Sequence, residues 1–390
     1  MIDRVHLLAH GNPLLPDVGR FGFASVEEYI EFARAHVPRP LRLTCDMRIM
    51  RAVEEPWRGG RTDDALRIRD VNAALGDPRT LALVALSGGA YFSRILPHLH
   101  FEVLRGRRAP LWALGFSEMT TLLGHVSTYR CGRALYWLCP NWLGARIKPQ
   151  SAAREALGEF WRTLPEVVGA AGARGGGGAR RVEQEDAERQ RERDGTWRRE
   201  EGDDAELAPS LGSELAPRLR PELAPRLRSG FCSEPIVGEV VSGRVKSGSV
   251  RIVGGCLAVL AAVVGGPLGR RLRPAGKWLM IEDIKESPYR IDRHLAALKL
   301  AGWFEAAAGV LVGDFRMLHE DTQPAVLELL KYHLPRGRRV PVVATRSVGH
   351  VWPMAPVLLN RPVPLRVAGR KVSIRGAGWA SVGADPQSRT

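Results

Sequence analysis

The stretch Leu111–Gly124, LWALGFSEMTTLLG, places a single serine between an apolar run and a helical pattern. Ser117 therefore falls on a predicted turn from a strand into a helix. A serine nucleophile uses such a turn, because the turn exposes the hydroxyl and the helix N-terminus offers N–H groups to an oxyanion. An N-cap serine uses it too, and Met119 stands where the GxSxG elbow requires a small residue. This stretch alone therefore leaves Ser117 as either a nucleophile or a helix cap.

Three further segments carry groups that could serve serine catalysis, namely a histidine, a pair of acids, and two glycines that allow a close approach of the backbone to a ligand. Gly88 and Gly89 follow the apolar run TLALVAL, Glu282 and Asp283 end the buried run KWLMIED, and His350 lies on a loop after VPVVAT. Each also has an ordinary structural explanation: a glycine turn, acids at a strand end, and a surface histidine. The combination makes a Ser–acid–His arrangement a hypothesis for the fold to test.

The elements that would position these residues alternate through the first part of the chain. Strand-like runs and helical patterns follow one another in residues 1–168, and Ser25 with Glu28 forms a capping box at one helix start. This alternation predicts an α/β domain with a parallel sheet, which carries the candidate nucleophile. Residues 231–380 predict a smaller C-terminal α+β domain containing strands, which carries the candidate acid and histidine.

A compositional change separates these two predicted domains. Residues 169–230 hold the glycine tract GARGGGGARR, a mixed-charge run and two consecutive octamers, SELAPRLR and PELAPRLR. The prolines break helices and few apolar residues are available for a core, which predicts a low-complexity insertion or linker. A partner-binding tail is the alternative.

Seven segments occur in this order along the chain: RIRDVNAALGDP, the Gly-Gly loop with SRILP, GFSEMT, RIVGGCL, LMIEDIKESPYRIDRHL, GVLVGDF and SVGHVWPM. Together they resemble the serine LD-carboxypeptidase family, which includes muropeptide LD-carboxypeptidases and microcin C self-immunity carboxypeptidases. The IEDxxExPYRIDR stretch is the most specific of the seven segments.

The resemblance implies a catalytic triad of Ser117, Glu282 and His350, split over the two domains. It also implies that the backbone N–H of Glu118 and one from the Gly88–Gly89 loop bind the oxyanion. The implied substrate is a short peptide with a free carboxylate and a terminal L,D-amide bond. No metal and no cofactor is required, and a cytoplasmic homodimer that recycles peptidoglycan is expected.

The sequence departs from the family pattern at positions that we expect to line the substrate cleft. Ser87 replaces an arginine, Leu138 lies where HGP is usual, and Cys256 replaces an asparagine. These changes keep two other functions open. One is an amide hydrolase of the same fold that acts on a peptidyl-nucleotide or another modified amino acid, and the other is a non-catalytic binding protein.

The net charge of the 390-residue chain is +15, and it belongs to the predicted folded parts. The stretch 174–228 holds 12 basic and 13 acidic residues, so the remainder carries +16. This charge suits an anionic ligand, and no nucleic-acid-binding motif accompanies it. The apolar run 252–268 is short and rich in glycine, so we predict a buried strand, a turn and a helix rather than a membrane span. The first residues lack a signal-peptide core, and the spacing of the five cysteines favours reduced thiols.

Overall fold

The computed structural model describes residues 2–53, 60–169, 235–317 and 320–375. The predicted insertion lies outside these residues except at its first position, Gly169. No helix of the described residues is long and apolar enough to cross a membrane. The apolar run 252–268 forms the end of a strand, a short helix and the start of a second helix, so Gly254 and Gly255 lie in the strand and not in the turn that we predicted between strand and helix.

The first half of the chain forms a parallel sheet in the strand order β2-β1-β3-β4-β5. Its strands are β1 (Arg4–Leu8), β2 (Arg42–Thr44), β3 (Thr80–Ala85), β4 (Leu111–Gly115) and β5 (Gly132–Tyr136). Every residue of β3 and β4 is buried, because helices cover both faces of a parallel sheet. In sheets of this order, ligands bind beyond the carboxyl ends of the strands, which is where the glycine loop and Ser117 lie.

Within its described residues, the second half of the chain holds nine further strands, of which seven form a closed sheet, the ring. The strands are β6 (Ile236–Ser242), β7 (Gly248–Cys256), β8 (Trp278–Ile284), β9 (Gly309–Met317), β10 (Glu320–Asp321), β11 (Val342–Thr345), β12 (Val357–Leu359), β13 (Pro362–Ala368) and β14 (Lys371–Ile374). Around the ring the order is β7-β8-β9-β11-β6-β14-β13, and β13 pairs with β7 again. Four consecutive strands of the ring, β7, β8, β9 and β11, are parallel, and the other pairings are antiparallel.

One short strand joins the two halves. β12 pairs antiparallel with β5 and parallel with β7, so hydrogen bonds run continuously from the first sheet into the ring. The main hydrophobic core spans both halves, and a smaller core lies between the ring and the helices after β7 and β8. The two halves therefore pack as neighbours along a single sheet.

The helices follow the predicted pattern between the strands. They are α1 (Leu15–Val18), α2 (Val26–His36), α3 (Met47–Met50), α4 (Asp64–Gly76), α5 (Phe92–Ile95), α6 (Thr120–Ser127), α7 (Asn141–Arg146), α8 (Gln150–Val167), α9 (Leu257–Val263), α10 (Pro267–Leu272), α11 (Pro288–Leu300), α12 (Trp303–Ala306) and α13 (Gln323–His333). The Ser25 side chain caps α2 by accepting the N–H of Glu28, as predicted. Pro288 begins α11 after Ser287, although the Ser287 side chain makes no cap hydrogen bond.

Candidate active site

Ser117 lies on the turn between β4 and α6, in a short 3-10 helix that spans residues 117–119. Its φ is +58°, in the left-handed region that non-glycine residues rarely adopt. Such strain is typical of functional sites, because it persists only where the surroundings enforce it. Ser117 is half-buried. Neither the 3-10 helix nor α6 has a side-chain hydrogen bond at its N-cap, so Ser117 does not cap either helix. This geometry does not support the helix-cap interpretation of Ser117, and the nucleophile remains the hypothesis.

Glu282 and His350 form a buried hydrogen-bonded pair. Nδ1 of His350 lies 2.8 Å from Oε2 of Glu282, and the two side chains are 7% and 0% exposed. Glu282 lies near the end of the buried strand β8, and Gly313 and Gly349 lie against it. A Cβ built at Gly349 would stand 3.0 Å from Oε2 of Glu282, so the glycines make room for the carboxylate.

Tyr136, at the end of β5, connects this pair to the serine. Its hydroxyl donates a hydrogen bond to Oε1 of Glu282 and accepts one from the backbone N–H of Ser117 at 3.1 Å. Burial, and then the charge of Glu282, raise the pKa of Tyr136 well above its usual range. The phenol therefore keeps the proton that it donates.

The surroundings of His350 favour a basic imidazole. Burial acts to lower the pKa of His350, but the charge of Glu282 and its hydrogen bond outweigh burial, so the pKa is raised above 6.5. The ring packs against Phe116, the residue before Ser117, at a centroid distance of 4.9 Å. Because Nδ1 faces Glu282, Nε2 is the nitrogen left to act as a base.

Within the described residues, the Ser117 hydroxyl makes no direct hydrogen bond to His350. Catalytic hydrogen bonds are often long in a free enzyme and shorten when substrate binds. The contacts through Phe116 and Tyr136 nevertheless bring the serine turn to the His350–Glu282 pair. An alcohol, an imidazole and a carboxylate in this arrangement can carry out acyl transfer.

The glycine loop lies beside the serine. A Cβ built at Gly88 would stand 2.9 Å from Cβ of Ser117 and 3.1 Å from Oγ, so only glycine fits there without displacing the serine. The next residue, Gly89, packs against the Asn12 side chain, and a Cβ built at Gly89 would clash with its Oδ1. The Glu118 carboxylate points away from the serine and accepts the backbone N–H groups of Phe92 and Ser93, which ties the serine turn to α5. Because Tyr136 occupies the N–H of Ser117, the oxyanion donors must come from elsewhere.

Models of two domains match the chain. The LD-carboxypeptidase N-terminal domain matches residues 29–135, and the LD-carboxypeptidase C-terminal domain matches residues 249–365. Together the two matches span more than half of the sequence. The chain belongs to the LD-carboxypeptidase family.

Individual proteins with carboxypeptidase names are also similar to this chain, over 115 to 144 residues. A probable murein peptide carboxypeptidase of Bacillus subtilis is 33% identical over 144 residues, which is 36% of this chain. A putative carboxypeptidase of Streptomyces coelicolor is 37% identical over 115 residues, or 28% of this chain. The matches span 43% and 34% of those two proteins.

Solved structures of the family share the fold. The microcin C7 self-immunity protein MccF, in complex with aspartyl sulfamoyl adenosine, superposes with a TM-score of 0.57 and 16% identity over 97% of each chain. A muramoyltetrapeptide carboxypeptidase from Oxalobacter formigenes gives a TM-score of 0.53 and 17% identity over 96% of this chain and 99% of its own. The expected combination of an α/β N-terminal part and a strand-containing C-terminal part is confirmed.

The three departures from the LD-carboxypeptidase pattern do not line an open cleft, contrary to our expectation. Ser87, Leu138 and Cys256 are 8%, 3% and 5% exposed. The Ser87 hydroxyl donates to the buried Asp17 carboxylate at 2.5 Å, and Asn141 donates to both groups. Ser87 therefore belongs to a small buried polar network with Asp17 and Asn141.

The Cys256 departure belongs to a second buried network. Its thiol donates to Asp283 at 3.6 Å, and Asp283 also accepts the N–H groups of Ala258 and Ile284. Burial, and then the charge of Glu282, raise the pKa of Asp283 to about 7. The second carboxylate of the family ED pair therefore holds the start of α9, while the first faces His350.

Sequence reasoning missed Tyr136, Trp142 and Arg146 as neighbours of the LD-carboxypeptidase site. The ring of Trp142 packs against His350 at 5.7 Å and against Phe116 at 5.5 Å, and the guanidinium of Arg146 stacks on Trp142 at 4.2 Å. One signal was available, because Tyr136 ends the strand beside β4 and pairs with Gly115. Within the described residues, no group of three or more His, Cys, Asp or Glu side chains is arranged to hold a metal ion.

Proposed function

We propose that the protein is a serine carboxypeptidase that hydrolyses the terminal L,D-amide bond of a short cell-wall muropeptide. Ser117 is the nucleophile, His350 the general base and acid, and Glu282 the carboxylate that orients the imidazole. The hydrogen bond of 2.8 Å between His350 and Glu282, joined to the serine turn through Tyr136, carries this proposal.

The first half of the reaction forms an acyl-enzyme. Nε2 of His350 takes the proton of the Ser117 hydroxyl as Oγ attacks the amide carbonyl carbon, and Glu282 stabilises the imidazolium. The carbonyl oxygen becomes an oxyanion, for which the N–H of Glu118 and an N–H of the Gly88–Gly89 loop are the proposed donors. The C–N bond then breaks, and His350 gives its proton to the departing amine.

The second half releases the shortened peptide. A water molecule attacks the ester carbonyl and loses a proton to His350. The ester C–O bond then breaks, and the proton returns to Oγ of Ser117. Water is the one co-substrate: its oxygen enters the new carboxyl group and its proton restores the Ser117 hydroxyl, so the atoms and protons balance.

A pair of substrates and a matched pair of variants test the proposal. The full chain is incubated with a tetrapeptide that ends in an L,D bond to D-alanine, and the released D-alanine is measured. We expect release that the Ser117→Ala variant loses and the Ser127→Ala variant keeps. Ser127 provides the control because it ends α6, ten residues after Ser117 in the chain, and its hydroxyl donates to the carbonyl of Gly124. Equal release by all three proteins, or none by the parent chain, would contradict the proposal.

A second candidate substrate is a peptidyl-nucleotide. The likeness to MccF, solved with aspartyl sulfamoyl adenosine, supports this alternative at the level of the fold. Cleavage of an aminoacyl nucleotide but not of the tetrapeptide, again lost in Ser117→Ala, would favour it. Binding without cleavage of either compound would favour a non-catalytic binding protein.

We also propose that the protein works as a homodimer in the cytoplasm, in the recycling of peptidoglycan, without cofactor, metal or nucleic acid. Light scattering coupled to size-exclusion chromatography measures the mass of the particle. A mass of one 42.9-kDa chain at working concentrations would contradict the dimer.

A further inference from the structure

Arg146 is the cation nearest the His350 side of the site in the contacts of the described residues. It ends α7, and its Nη2 donates to the backbone carbonyl of His350 at 3.3 Å. Its guanidinium stacks on Trp142 at 4.2 Å, and the same ring packs against the His350 imidazole. The charge of Arg146 acts on the pKa of His350 in the lowering direction, as expected for neighbouring cations. One aromatic ring therefore separates this guanidinium from the proposed general acid.

Arg146 forms no ion pair within the described residues, although the charge of Asp314 acts on it from a longer distance. Two arginines of the second half of the chain are, in contrast, paired. Arg316 and Arg346 share the buried Asp314, and Arg346 also pairs with Asp321. The Arg146 side chain is exposed and uses one of its five N–H donors on the His350 carbonyl. The remaining donors are available to an anionic ligand.

The chemistry of the proposed reaction places an anion on this side of the site. His350 must protonate the departing amine, so the leaving amino acid lies against the imidazole. Its carboxylate is attached to the carbon next to that amine. A carboxylate held there needs a cation, and arginine presents paired N–H donors that match its two oxygens.

We propose that Arg146 binds the free α-carboxylate of the leaving amino acid and so makes the enzyme a carboxypeptidase. This inference rests on the proposed function. Trp142 holds the guanidinium flat by stacking, and the His350 carbonyl fixes its rotation. The selectivity for a free carboxylate at the chain end then comes from α7, which contributes none of the three triad residues.

The test compares a tetrapeptide acid with its C-terminal carboxamide. Binding is measured by calorimetry in the Ser117→Ala background, where neither compound is cleaved. We expect the acid to bind about 10- to 100-fold more tightly than the amide, the range for a hydrogen bond to a charged group. Arg146→Met should remove this preference, and Arg146→Lys should restore part of it.

Arg154→Met supplies the matched control. Arg154 also stacks on an aromatic ring, that of Phe23 at 4.2 Å, but it pairs with Glu28 away from the triad. We expect the preference for the acid to survive this change. In the cleaving enzyme, Arg146→Met should raise KM for the acid and leave KM for the amide unchanged.

Any one of three results would overturn the assignment. The preference for the acid could persist in Arg146→Met, or it could be absent from the Ser117→Ala protein that carries no other change. Alternatively, Arg146→Met could weaken binding of acid and amide equally, which would assign Arg146 to holding the His350 loop. Because binding is measured without turnover, a parent chain that fails to cleave the tetrapeptide contradicts the proposed function, while the acid–amide comparison still decides the role of Arg146.

Discussion

The Tyr136 hydroxyl donates a hydrogen bond to Glu282, although the two residues lie 146 positions apart in the chain. The same hydroxyl accepts the backbone N–H of Ser117. Tyr136 belongs to the first sheet and Glu282 to the ring, so a single phenol joins the Ser117 turn to the Glu282 carboxylate across the boundary between the two halves. The position of the serine relative to the histidine is therefore coupled to Tyr136.

Tyr136→Phe tests this coupling. The change leaves the part-buried Ser117 N–H and one oxygen of the fully buried Glu282 without their partner. We expect a loss of about 1–3 kcal/mol in the free energy of unfolding. A fall of about 10- to 100-fold in kcat/KM should accompany it if the coupling acts in the transition state. Denaturant titration and steady-state kinetics measure the two quantities.

Tyr129→Phe is the matched control for this prediction. Like the Tyr136 hydroxyl, the Tyr129 hydroxyl accepts one hydrogen bond, from Arg271, and donates one to a carboxylate, Glu102, but these partners are exposed and lie away from Ser117. We expect unchanged kinetics. Equal kinetic losses in both variants would show that Tyr136 acts only through general stability.

The Glu282–His350 pair predicts the pH dependence of activity. His350 must be neutral to accept the serine proton, and its pKa is raised above 6.5, so kcat/KM should fall as the pH falls through a midpoint above 6.5. In Glu282→Gln, burial remains and the carboxylate charge is gone. The midpoint should then move to lower pH, and kcat should drop by about three to four orders of magnitude.

Glu239→Gln is the control for the pH profile, because Glu239 pairs with Arg370 at the surface, far along the ring. Its profile should match that of the parent chain. A midpoint that stays fixed in Glu282→Gln would mean that the titrating group is not His350.

Much of the strand pattern was predictable from the sequence, because buried parallel strands appear as continuous apolar runs. The runs around Leu83, Ala113 and Ile281 all became central strands. The Gly88 loop and Ser117 were also predictable as neighbours, since the carboxyl ends of parallel strands meet at one edge of the sheet. Local pattern was sufficient for these features.

The contacts that complete the site were not predictable in this way. Arg146 and His350 are 204 positions apart, and no periodic pattern in the sequence predicts that these two residues are in contact. The pairing of β12 with both β5 and β7 decides how the ring meets the first sheet, and a strand of three residues gives no clear sequence signal. The domain boundaries at 168 and 231 and the roles of the triad residues remain predictions.

Gly88→Ala tests the close approach of the glycine loop to the nucleophile. The new Cβ would stand 2.9 Å from Cβ of Ser117, and the strained serine backbone cannot move away freely. We expect kcat to fall by about 10²-fold, the usual effect of displacing a reacting group by about 1 Å. Gly19→Ala is the control, because its Cβ would meet no atom within 4 Å. A normal kcat in Gly88→Ala would mean that the close approach of the Gly88 loop to Ser117 is not needed for the reaction.

Asp283 predicts how stability varies with pH. Its pKa in the folded protein is about 7, against 3.8 for an ordinary aspartate, so the native state binds the proton more tightly than the unfolded chain does. The contribution of Asp283 to stability is thus complete below pH 3.8 and is lost as the pH rises to about 7. Asp283→Asn cannot ionise. The free energy of unfolding of the variant minus that of the parent chain should therefore rise across this pH range and then level off.

Asp46→Asn is the control of opposite sign, because the hydrogen bond from Arg48 lowers the pKa of Asp46 below 3.8. Its difference from the parent chain should stay constant across the window in which the Asp283→Asn difference rises. Denaturant titrations at a series of pH values measure both differences. A constant or falling difference for Asp283→Asn would mean that Asp283 is ionised throughout this pH range, in which case Asp283 and Glu282 would be two adjacent buried charges.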